Sequence, residues 1–238
     1  MTVRLYLEDG TLREAVGVVV GASAEGVVLD RTPFYPRAGG QPGDAGVLHW
    51  DGGTTEVSEA RKGEGEAVLH MALPGAAQPT VGMVVRAELD WPRRFCHMRM
   101  HTAMHLLCAL LPGASVMGGQ VGAERSRLDF DLAAAPDKDG LDAGLAALVL
   151  ADHAVTAEWV DEAVLDANPG LVRTLSVQPP RGSGRVRLVR IGVENVPVDL
   201  QPCGGTHVAR TGQIGGVWVL KVENKGRQNR RISIGLEA

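Results

Sequence analysis

Three histidines stand four residues apart in this chain, at positions 97, 101 and 105. Residues four apart lie on one face of an α-helix, so adjacent imidazoles, such as those of His101 and His105, could bind the same ion. Far downstream, Cys203 and His207 offer a thiolate and a further imidazole across a tight turn. Imidazole nitrogens combined with one thiolate sulfur suit zinc. The alternative is that the histidines belong to a helix surface or core and that Cys203 is a small buried hydrophobe.

A helix is predicted to carry the three histidines. Pro92 can occupy the first turn of a helix, and apolar residues, among them Met100 and Met104, recur at helical spacing from 93 to 111. The pair Pro112-Gly113 then ends the pattern. One face of this helix would therefore present the imidazoles together.

The chain before and after this helix differs in its pattern. Residues 1–88 contain short stretches of strand-forming residues separated by Gly and Asp turns, which is typical of a small β-barrel or sandwich. Beyond residue 88, strands and a few helices mix without strict alternation, which favours the α+β class over a parallel doubly wound sheet. We therefore predict a β-barrel domain at 1–88 and a zinc-containing α+β domain at 89–238. The predicted strands are 3–7, 14–20, 26–29, 45–50, 54–60, 67–71, 83–89, 121–130, 155–160, 185–191, 215–223 and 230–236, the further helices are 141–154 and 161–167, and an exposed loop is predicted at 179–184.

Composition restricts the class of protein. The chain has 238 residues, of which 45% are hydrophobic and 22% charged, enough to bury the core of one large domain or two modest ones. No apolar run approaches the roughly 20 residues of a membrane span, and the first residues contain no apolar signal core. Three cysteines are an odd number, which disfavours a disulfide framework. We expect a soluble, cytoplasmic protein with reduced thiols and no membrane association.

Charge is unevenly distributed along the chain. The net charge is −4, yet residues 181–238 contain ten Lys or Arg and four acidic residues, which leaves +6 there and −10 on the rest. A polyanion would therefore meet a basic patch on an acidic body. Lys225, Arg227 and Arg230 are our candidates for contacts with phosphate groups. The alternative is a solvated strand face.

Three motifs resemble those of a known family. Residues 99–107, Arg-Met-His-Thr-Ala-Met-His-Leu-Leu, resemble the helix signature of the editing domain of alanyl-tRNA synthetases and of the free-standing alanyl-tRNA editing proteins. Residues 201–208, Gln-Pro-Cys-Gly-Gly-Thr-His-Val, resemble its second zinc motif. Residues 34–44, Phe-Tyr-Pro-Arg-Ala-Gly-Gly-Gln-Pro-Gly-Asp, resemble the glycine-rich motif of the preceding domain. Weaker matches, in the family's order, lie at 119–122, 127–130, 189–192 and 221–231.

The resemblance implies that His101, His105, Cys203 and His207 are zinc positions, and it leaves His97 outside the set. It does not choose the number of ligands. Four protein ligands would close a tetrahedral site, whereas three with water or substrate would leave the open position that zinc catalysis usually needs. We take His101, His105 and Cys203 as ligands, and His207 as either a fourth, exchangeable ligand or a group that orients water.

The glycine-rich motif is the candidate substrate-binding segment of the first domain. Gly39 and Gly40 would let the backbone approach a substrate closely, and Gln41 could donate or accept a hydrogen bond. Arg37 and Ala38 stand where the family often has an acidic or small residue and another glycine. A cation directed into the pocket at Arg37 would disturb a bound ammonium group. The alternative is a plain turn between two strands.

The resemblance places two further polar residues near the metal. Thr102 and Gln120 could hold the amine or hydroxyl of a substrate, and with Gln41 they are the candidate catalytic residues. Thr102 could equally bond back to a carbonyl of its own helix. Zinc-centred hydrolysis needs no Ser-His-Asp triad, and the chain contains no Gly-x-Ser-x-Gly elbow.

The resemblance implies a free-standing editing enzyme that hydrolyses mischarged alanine tRNA in trans. Its substrate would be an activated ester, whose cleavage needs a positioned water and stabilisation of a tetrahedral oxyanion. A seryl ester is the expected substrate, with a glycyl ester second. Zinc is the expected cofactor and tRNA the expected partner, and no obligate protein partner is indicated. Two alternatives stay open: a deacylase for another tRNA, such as threonine tRNA, and a non-catalytic, zinc-stabilised RNA-binding module.

Overall fold

The computed structural model describes residues 2–175, 182 and 184–237. The chain divides into two compact units, Met1–His97 and Met98–Ala238. The domain boundary drawn after residue 88 stays a prediction. The loop predicted at 179–184 lies outside the described residues except for Gly182 and Gly184.

The first unit is built around a closed barrel of six antiparallel strands. A separate parallel pair is formed by its first and fourth strands, and a 3-10 turn at Leu5–Leu7 follows the first of these. The strands are β1 (Val3–Arg4), β2 (Glu14–Ser23), β3 (Gly26–Leu29), β4 (Arg31–Thr32), β5 (Gly46–Trp50), β6 (Gly53–Lys62), β7 (Val68–Ala72) and β8 (Val84–Leu89). The order around the barrel is β2-β3-β7-β6-β5-β8.

Every second side chain of a barrel strand points inward, and these side chains fill the barrel. Along β6, Thr55 and Val57 are buried while their neighbours are exposed, as a strand with one face in a core requires. Close approach of strands demands glycine at Gly26, where a Cβ would lie 2.0 Å from the carbonyl oxygen of His70. The apolar core consists of Val19, Val27, Leu29, Phe34, Leu48, Val57, Ala60, Val68, Val85, Ala87 and Leu89.

A neutral histidine lies inside this barrel. His70 is fully buried, with Nδ1 3.1 Å from the carbonyl oxygen of Val27 and Nε2 2.7 Å from the hydroxyl of Thr32. The carbonyl can only accept, so Nδ1 carries the proton and Nε2 accepts from Thr32. Burial disfavours the imidazolium and lowers the pKa of His70 to about 4.

Acid should therefore destabilise the protein through His70. The pKa of His70 is lower in the folded state than in the unfolded state. As the pH falls from about 6.5 towards 4, the unfolded chain therefore binds a proton at His70 while the folded chain does not. The free energy of unfolding decreases across that pH range. The loss should reach about 3 kcal/mol. Urea unfolding of the wild type and of His70→Gln at intervals from pH 7.5 to 4 measures it. Parallel profiles for the two proteins would contradict the expectation.

The remaining elements begin with a long helix and form two further sheets. The four-stranded sheet has the order β14-β15-β10-β9 and the three-stranded sheet the order β11-β12-β13, both antiparallel throughout. Among the described residues, no helix is long and apolar enough to cross a membrane. The elements are α1 (Trp91–Ala109), β9 (Ser115–Gln120), β10 (Arg125–Asp131), α2 (Lys138–Leu150), β11 (Val155–Asp161), α3 (Glu162–Ala167), β12 (Arg185–Gly192), β13 (Pro197–Pro202), β14 (Val217–Gly226) and β15 (Asn229–Leu236).

The four-stranded sheet has one buried face, which we call its inner face. Leu128 and Phe130 of β10 and Ile232 and Ile234 of β15 are buried on it. Helix α1 lies over this face. The contact is shown at Gly119 of β9, where a Cβ would lie 3.5 Å from Cε of Met104. The opposite, outer face carries the alternate residues of the same strands.

Most predicted elements are confirmed, including the barrel strands, the α+β content and the helix that carries the histidines. The strand predicted at 3–7 is wrong beyond Arg4, where a 3-10 turn begins. The single strand predicted at 121–130 is wrong at its start, since β10 begins at Arg125 and residues 121–124 form the connection from β9. The helix predicted at 141–154 ends at Leu150.

Three strands escaped prediction: β4, which has only two residues, β9 and β13. The glycines Gly118 and Gly119 weaken the strand signal of β9, and prolines stand at both ends of β13. Pro197 and Pro202 are compatible with β13 because each stands at a strand end, where a missing backbone donor costs little.

Candidate metal centre

Four potential metal ligands come together in the second unit. The donor atoms of His101, His105, Cys203 and His207 all lie within 4.8 Å of one another. Sγ of Cys203 is 3.3 Å from Nε2 of His207 and 3.6 Å from Nε2 of His101. A tetrahedral zinc ion with bonds of about 2.0–2.3 Å would separate nitrogen and sulfur ligands by roughly 3.5 Å. The donor types and their spacing therefore fit zinc.

A carboxylate holds His105 in place. Nδ1 of His105 lies 2.7 Å from Oδ2 of Asp199, and Nε2 of Gln201 donates to the same oxygen at 2.8 Å. Burial opposes a charge on His105, but the hydrogen bonds and negative charges of Asp199 and Cys203 together outweigh burial and raise the pKa of His105 to about 10. Because the Nδ1 proton is donated to the carboxylate, Nε2 is the nitrogen that would bind a metal ion, in exchange for its own proton.

The hydroxyl of Thr102 orients His207. It donates to the carbonyl of Met98, one helical turn earlier, at 2.8 Å and accepts from the amide of Val208 at 3.2 Å. Its remaining lone pair faces Nδ1 of His207 at 3.3 Å. These contacts use the one donor and two acceptor positions of a hydroxyl and leave Nε2 of His207 facing Cys203. Thr102 thus makes the bond back to its own helix that the sequence left open.

The environment of Cys203 favours a thiolate. Burial acts to raise the pKa of its thiol, but the neighbouring imidazoles of His101 and His207 outweigh burial and hold that pKa well below its ordinary value. The guanidinium of Arg187 donates to the carbonyls of Cys203 and Gly205, at 2.8 and 3.2 Å, and so fixes the loop that carries the sulfur. Thiolate is the form in which cysteine binds metal.

Comparison with known proteins decides the family. Residues 8–93 match a family described as tRNA synthetases class II (A), and residues 186–233 match the threonyl and alanyl tRNA synthetase second additional domain. The chain is 36% identical to the alanyl-tRNA editing protein AlaX-M of Methanosarcina acetivorans, and the match covers 98% of each chain. The chain belongs to the AlaX-M family of alanyl-tRNA editing proteins.

Other relatives agree with this assignment. The alanyl-tRNA editing protein AlaX-M of Saccharolobus solfataricus is 33% identical, again with 98% of each chain covered. The alanine–tRNA ligase of Archaeoglobus fulgidus is 34% identical over 94% of this chain, but the match covers only 24% of the ligase. The resemblance found in the three sequence motifs is therefore confirmed.

In this AlaX-M family member, the glycine-rich motif forms a two-residue hairpin turn. Ala38 and Gln41 exchange backbone hydrogen bonds of 2.8 and 3.2 Å. Between them, Gly39 and Gly40 have φ angles of +53° and +81°, the combination that a type I′ turn requires and that glycine adopts at no steric cost. The two glycines are exposed, whereas Gln41 is fully buried.

Arg37, the unusual cation of this motif, is paired with a carboxylate. Its Nε and Nη2 both lie 2.7 Å from Oε1 of Glu59. Arg61 donates to the other carboxylate oxygen at 2.9 Å, and the amide of Gly43 donates to Oε1 at 3.3 Å. Burial acts to raise the pKa of Glu59, but the bonds from Arg61 and Arg37 outweigh it and leave that pKa below its usual value. Glu59 therefore balances much of the Arg37 charge.

Two polar residues of the sequence analysis lie apart from the four donors. Gln120 is exposed at the end of β9, opposite Arg127 of β10, and no hydrogen bond joins its side chain to the donor cluster within the described residues. His97 is buried one helical turn before His101 and is not among the grouped ligands of the described chain.

The three candidate phosphate contacts differ in exposure. Lys225 is partly exposed and lies 3.2 Å from Glu223, and Arg227 is exposed in the turn between β14 and β15. Arg230 is buried, and its guanidinium donates to the carbonyl of Gly226 at 2.7 Å and also to the carbonyl of Ala133. The buried position indicates that Arg230 holds the hairpin.

Sequence reasoning missed the residues that position the ligands. Asp199 was not singled out, and Gln201 appeared only inside a motif. A signal was present, because alternate positions of one strand share a face and Asp199, Gln201 and Cys203 stand two apart. That signal depends on recognising β13 as a strand.

Proposed function

We propose that this protein hydrolyses the ester bond of mischarged alanine tRNA in trans, with a seryl ester as the main substrate and a glycyl ester second. The observation that carries the proposal is the convergence of three imidazoles and one thiolate in a member of a family of alanyl-tRNA editing proteins. Enzymatic hydrolysis of an aminoacyl ester of tRNA needs a positioned water and stabilisation of the developing oxyanion, and a metal centre supplies a place for both.

The proposed cofactor is zinc, held by His101, His105, Cys203 and His207. When bound there, zinc would lower the pKa of a water towards about 7 or polarise the ester carbonyl. The protein's contribution is to fix the ligands before substrate arrives, through Asp199 at His105 and Thr102 at His207. Such outer contacts typically govern metal affinity by about 10- to 100-fold.

His207 is the ligand that we propose to exchange with water or substrate. Its outer contact, from Nδ1 to Thr102, is 3.3 Å long, whereas the contact of His105 to the Asp199 carboxylate is 2.7 Å. The shorter, charge-assisted hydrogen bond restrains the imidazole of His105 more strongly than the longer contact restrains that of His207. His101, His105 and Cys203 would then hold the ion, and His207 would be the donor that gives way to water or substrate.

The hairpin turn at Gly39 and Gly40 is the proposed substrate contact of the first unit. Exposed glycines with positive φ leave backbone groups uncovered by side chains, so a ribose or aminoacyl group could approach closely. Gln41, proposed from the sequence as a catalytic residue, is fully buried, so we propose that it acts on the ester by holding the turn in position, while Arg37 would act through its charge at the rim of the same turn. For phosphate contacts we retain Lys225 and Arg227.

A deacylation panel tests the proposed function. Alanine tRNA carrying serine, glycine or alanine and threonine tRNA carrying serine are each incubated with the protein, and ester loss is followed with time. We expect hydrolysis of seryl and glycyl alanine tRNA well above the no-enzyme rate, and slow loss of the seryl threonine tRNA. Equal or faster loss from threonine tRNA would support the other editing class, and no loss from any ester would contradict a catalytic role.

Gln41→Ala belongs in the same panel, with zinc content measured in parallel. A functional group displaced by about 1 Å can cost roughly 10²-fold in rate, so loss of this side chain should slow hydrolysis while zinc is retained. Gln78→Ala, on the same unit but outside the motif, is the control. Wild-type rates and wild-type ester preference in Gln41→Ala would remove the motif from the reaction.

A further inference from the structure

The outer face of the four-stranded sheet carries polar residues in cross-strand rows. Strand register places Lys221, Ser233, Arg127 and Gln120 side by side across β14, β15, β10 and β9. The neighbouring row consists of Glu223, Arg231 and Asp129. All of these side chains point away from α1, which covers the inner face.

Ion pairing balances part of this face. Arg231 makes two bonds to Asp129, at 2.7 and 2.8 Å, and Glu223 lies 3.0 Å from Lys221 and 3.2 Å from Lys225. Asp129 and Glu223 thus pair with three cations. A third carboxylate, Asp131, lies at the far end of β10.

Two arginines of β10 remain without such a partner. Arg125 and Arg127 are exposed two residues apart on the same face, and no carboxylate of the described chain lies within ion-pair distance of either guanidinium. Glu237, which follows β15, also lies on this face, since its Cβ would be 2.9 Å from a Cβ at Gly216. The outer face therefore carries five cations against four carboxylates, and Arg125 and Arg127 are the cations without an ion pair.

An exposed aromatic residue adjoins this charge. Trp218 of β14 is 42% exposed, and register places it opposite Gly235, whose other neighbour is Arg125. Gly235 places no side chain of β15 between the indole and the guanidinium, and the side chain of Leu220 covers the glycine instead, 3.2 Å from where a Cβ would lie. Cations combined with an exposed indole can bind phosphates and a stacked base together, as single-stranded nucleic acid requires.

We propose that the outer face binds RNA, with phosphates on Arg125, Arg127 and Lys221 and an unpaired base on Trp218. This inference rests on the proposed function, since the RNA would be the tRNA substrate. It extends the proposed phosphate contacts from Lys225 and Arg227, near the β14–β15 turn, to the outer face of the sheet. An acidic protein surface would satisfy the arginines but would leave Trp218 without a flat apolar partner, so RNA fits the whole face better.

Fluorescence anisotropy with unacylated, labelled tRNA over a series of salt concentrations tests the arginines. Arg125→Gln and Arg127→Gln should each reduce the slope of log affinity against log salt by about one, whereas Arg127→Lys should keep the wild-type slope because it keeps the charge. Lys62→Ala, an exposed cation of β6, is the control for a simple change in net charge. Wild-type slopes in both Gln variants would overturn the inference.

Substitution of the indole tests stacking separately. Trp218→Ala should weaken binding roughly 5- to 100-fold, while Trp218→Phe should retain most of the affinity. Equal affinity of the Ala and Phe variants and the wild type would overturn the base contact. Circular dichroism of each variant establishes that the sheet is intact.

Deacylation of a seryl ester of adenosine, which lacks phosphodiesters, separates the two proposals. The arginine variants should hydrolyse it at the wild-type rate while hydrolysing seryl alanine tRNA with a raised KM. If the wild type hydrolyses no ester but binds tRNA through these arginines, the proposed function fails and the RNA surface stands. If hydrolysis is present and the arginine variants bind tRNA as the wild type does, the surface fails and the function stands.

Discussion

Replacement of Cys203 by serine should remove the metal and, with it, ester hydrolysis. Structural zinc sites bind with about 10–16 kcal/mol, so each of four ligands accounts for about 3 kcal/mol, and loss of one should weaken affinity by about 10²-fold or more. Elemental analysis after dialysis measures the metal, and the deacylation panel measures the rate. Cys96→Ser, which changes a cysteine outside the cluster, should retain both.

The outer contacts predict a graded series around the same centre. Asp199→Asn should weaken metal binding about 10- to 100-fold, because the amide keeps the shape but loses the charge that holds His105. Cys203→Ser should therefore be the more severe variant. Full metal content in both Cys203→Ser and His105→Ala would exclude the cluster as the metal site.

Asp44→Ala should destabilise the protein by about 3–5 kcal/mol, because it would leave the charge of Arg94 buried without its partner. Arg94 is fully buried, and Nε and Nη2 donate to the Asp44 carboxylate. Other donors of the same guanidinium reach the carbonyls of Gly10 at 2.9 Å and Pro33 at 2.6 Å. The ion pair thus joins the end of the glycine-rich motif to α1 inside the first unit.

Urea unfolding measures the effect, with two controls. Arg94→Lys should not restore stability, because an ammonium cannot reproduce the planar fork that serves three acceptors. Arg86→Ala breaks an exposed pair with Glu14 and should cost less than about 1 kcal/mol. A loss below 1 kcal/mol in Asp44→Ala would contradict the importance of the buried pair.

The metal cluster could be predicted because its two halves are local. His101 with His105 and Cys203 with His207 are each four residues apart, so spacing alone pairs them, and the family resemblance joined the pairs. The carboxylate of Asp199 could not be assigned in the same way, since it lies 94 residues from His105 along the chain. The tertiary fold brings Asp199 into place, because it sets β13 beside α1.

Charge was harder to predict than fold. A count of basic residues in 181–238 marked a positive segment, yet Arg231 is paired with Asp129 and Arg230 is buried. Two unpaired cations of the outer face, Arg125 and Arg127, lie outside the counted segment altogether. A count along the sequence adds the charges of residues that are close in the chain. The charge of a sheet face depends instead on residues from several strands that lie side by side.

Closure of the barrel has a consequence for solubility. Strand β2 exposes Val16, Val18 and Val20 on its outer side, and Val84 of β8 lies beside Val18. In an open sheet, such an apolar strand at an edge would recruit strands of other molecules and promote aggregation. Here residues 14–18 of β2 pair with β8 and residues 19–23 pair with β3, so neither edge of the strand is free along its full length. The valines can be exposed because the strand that carries them is not available for pairing.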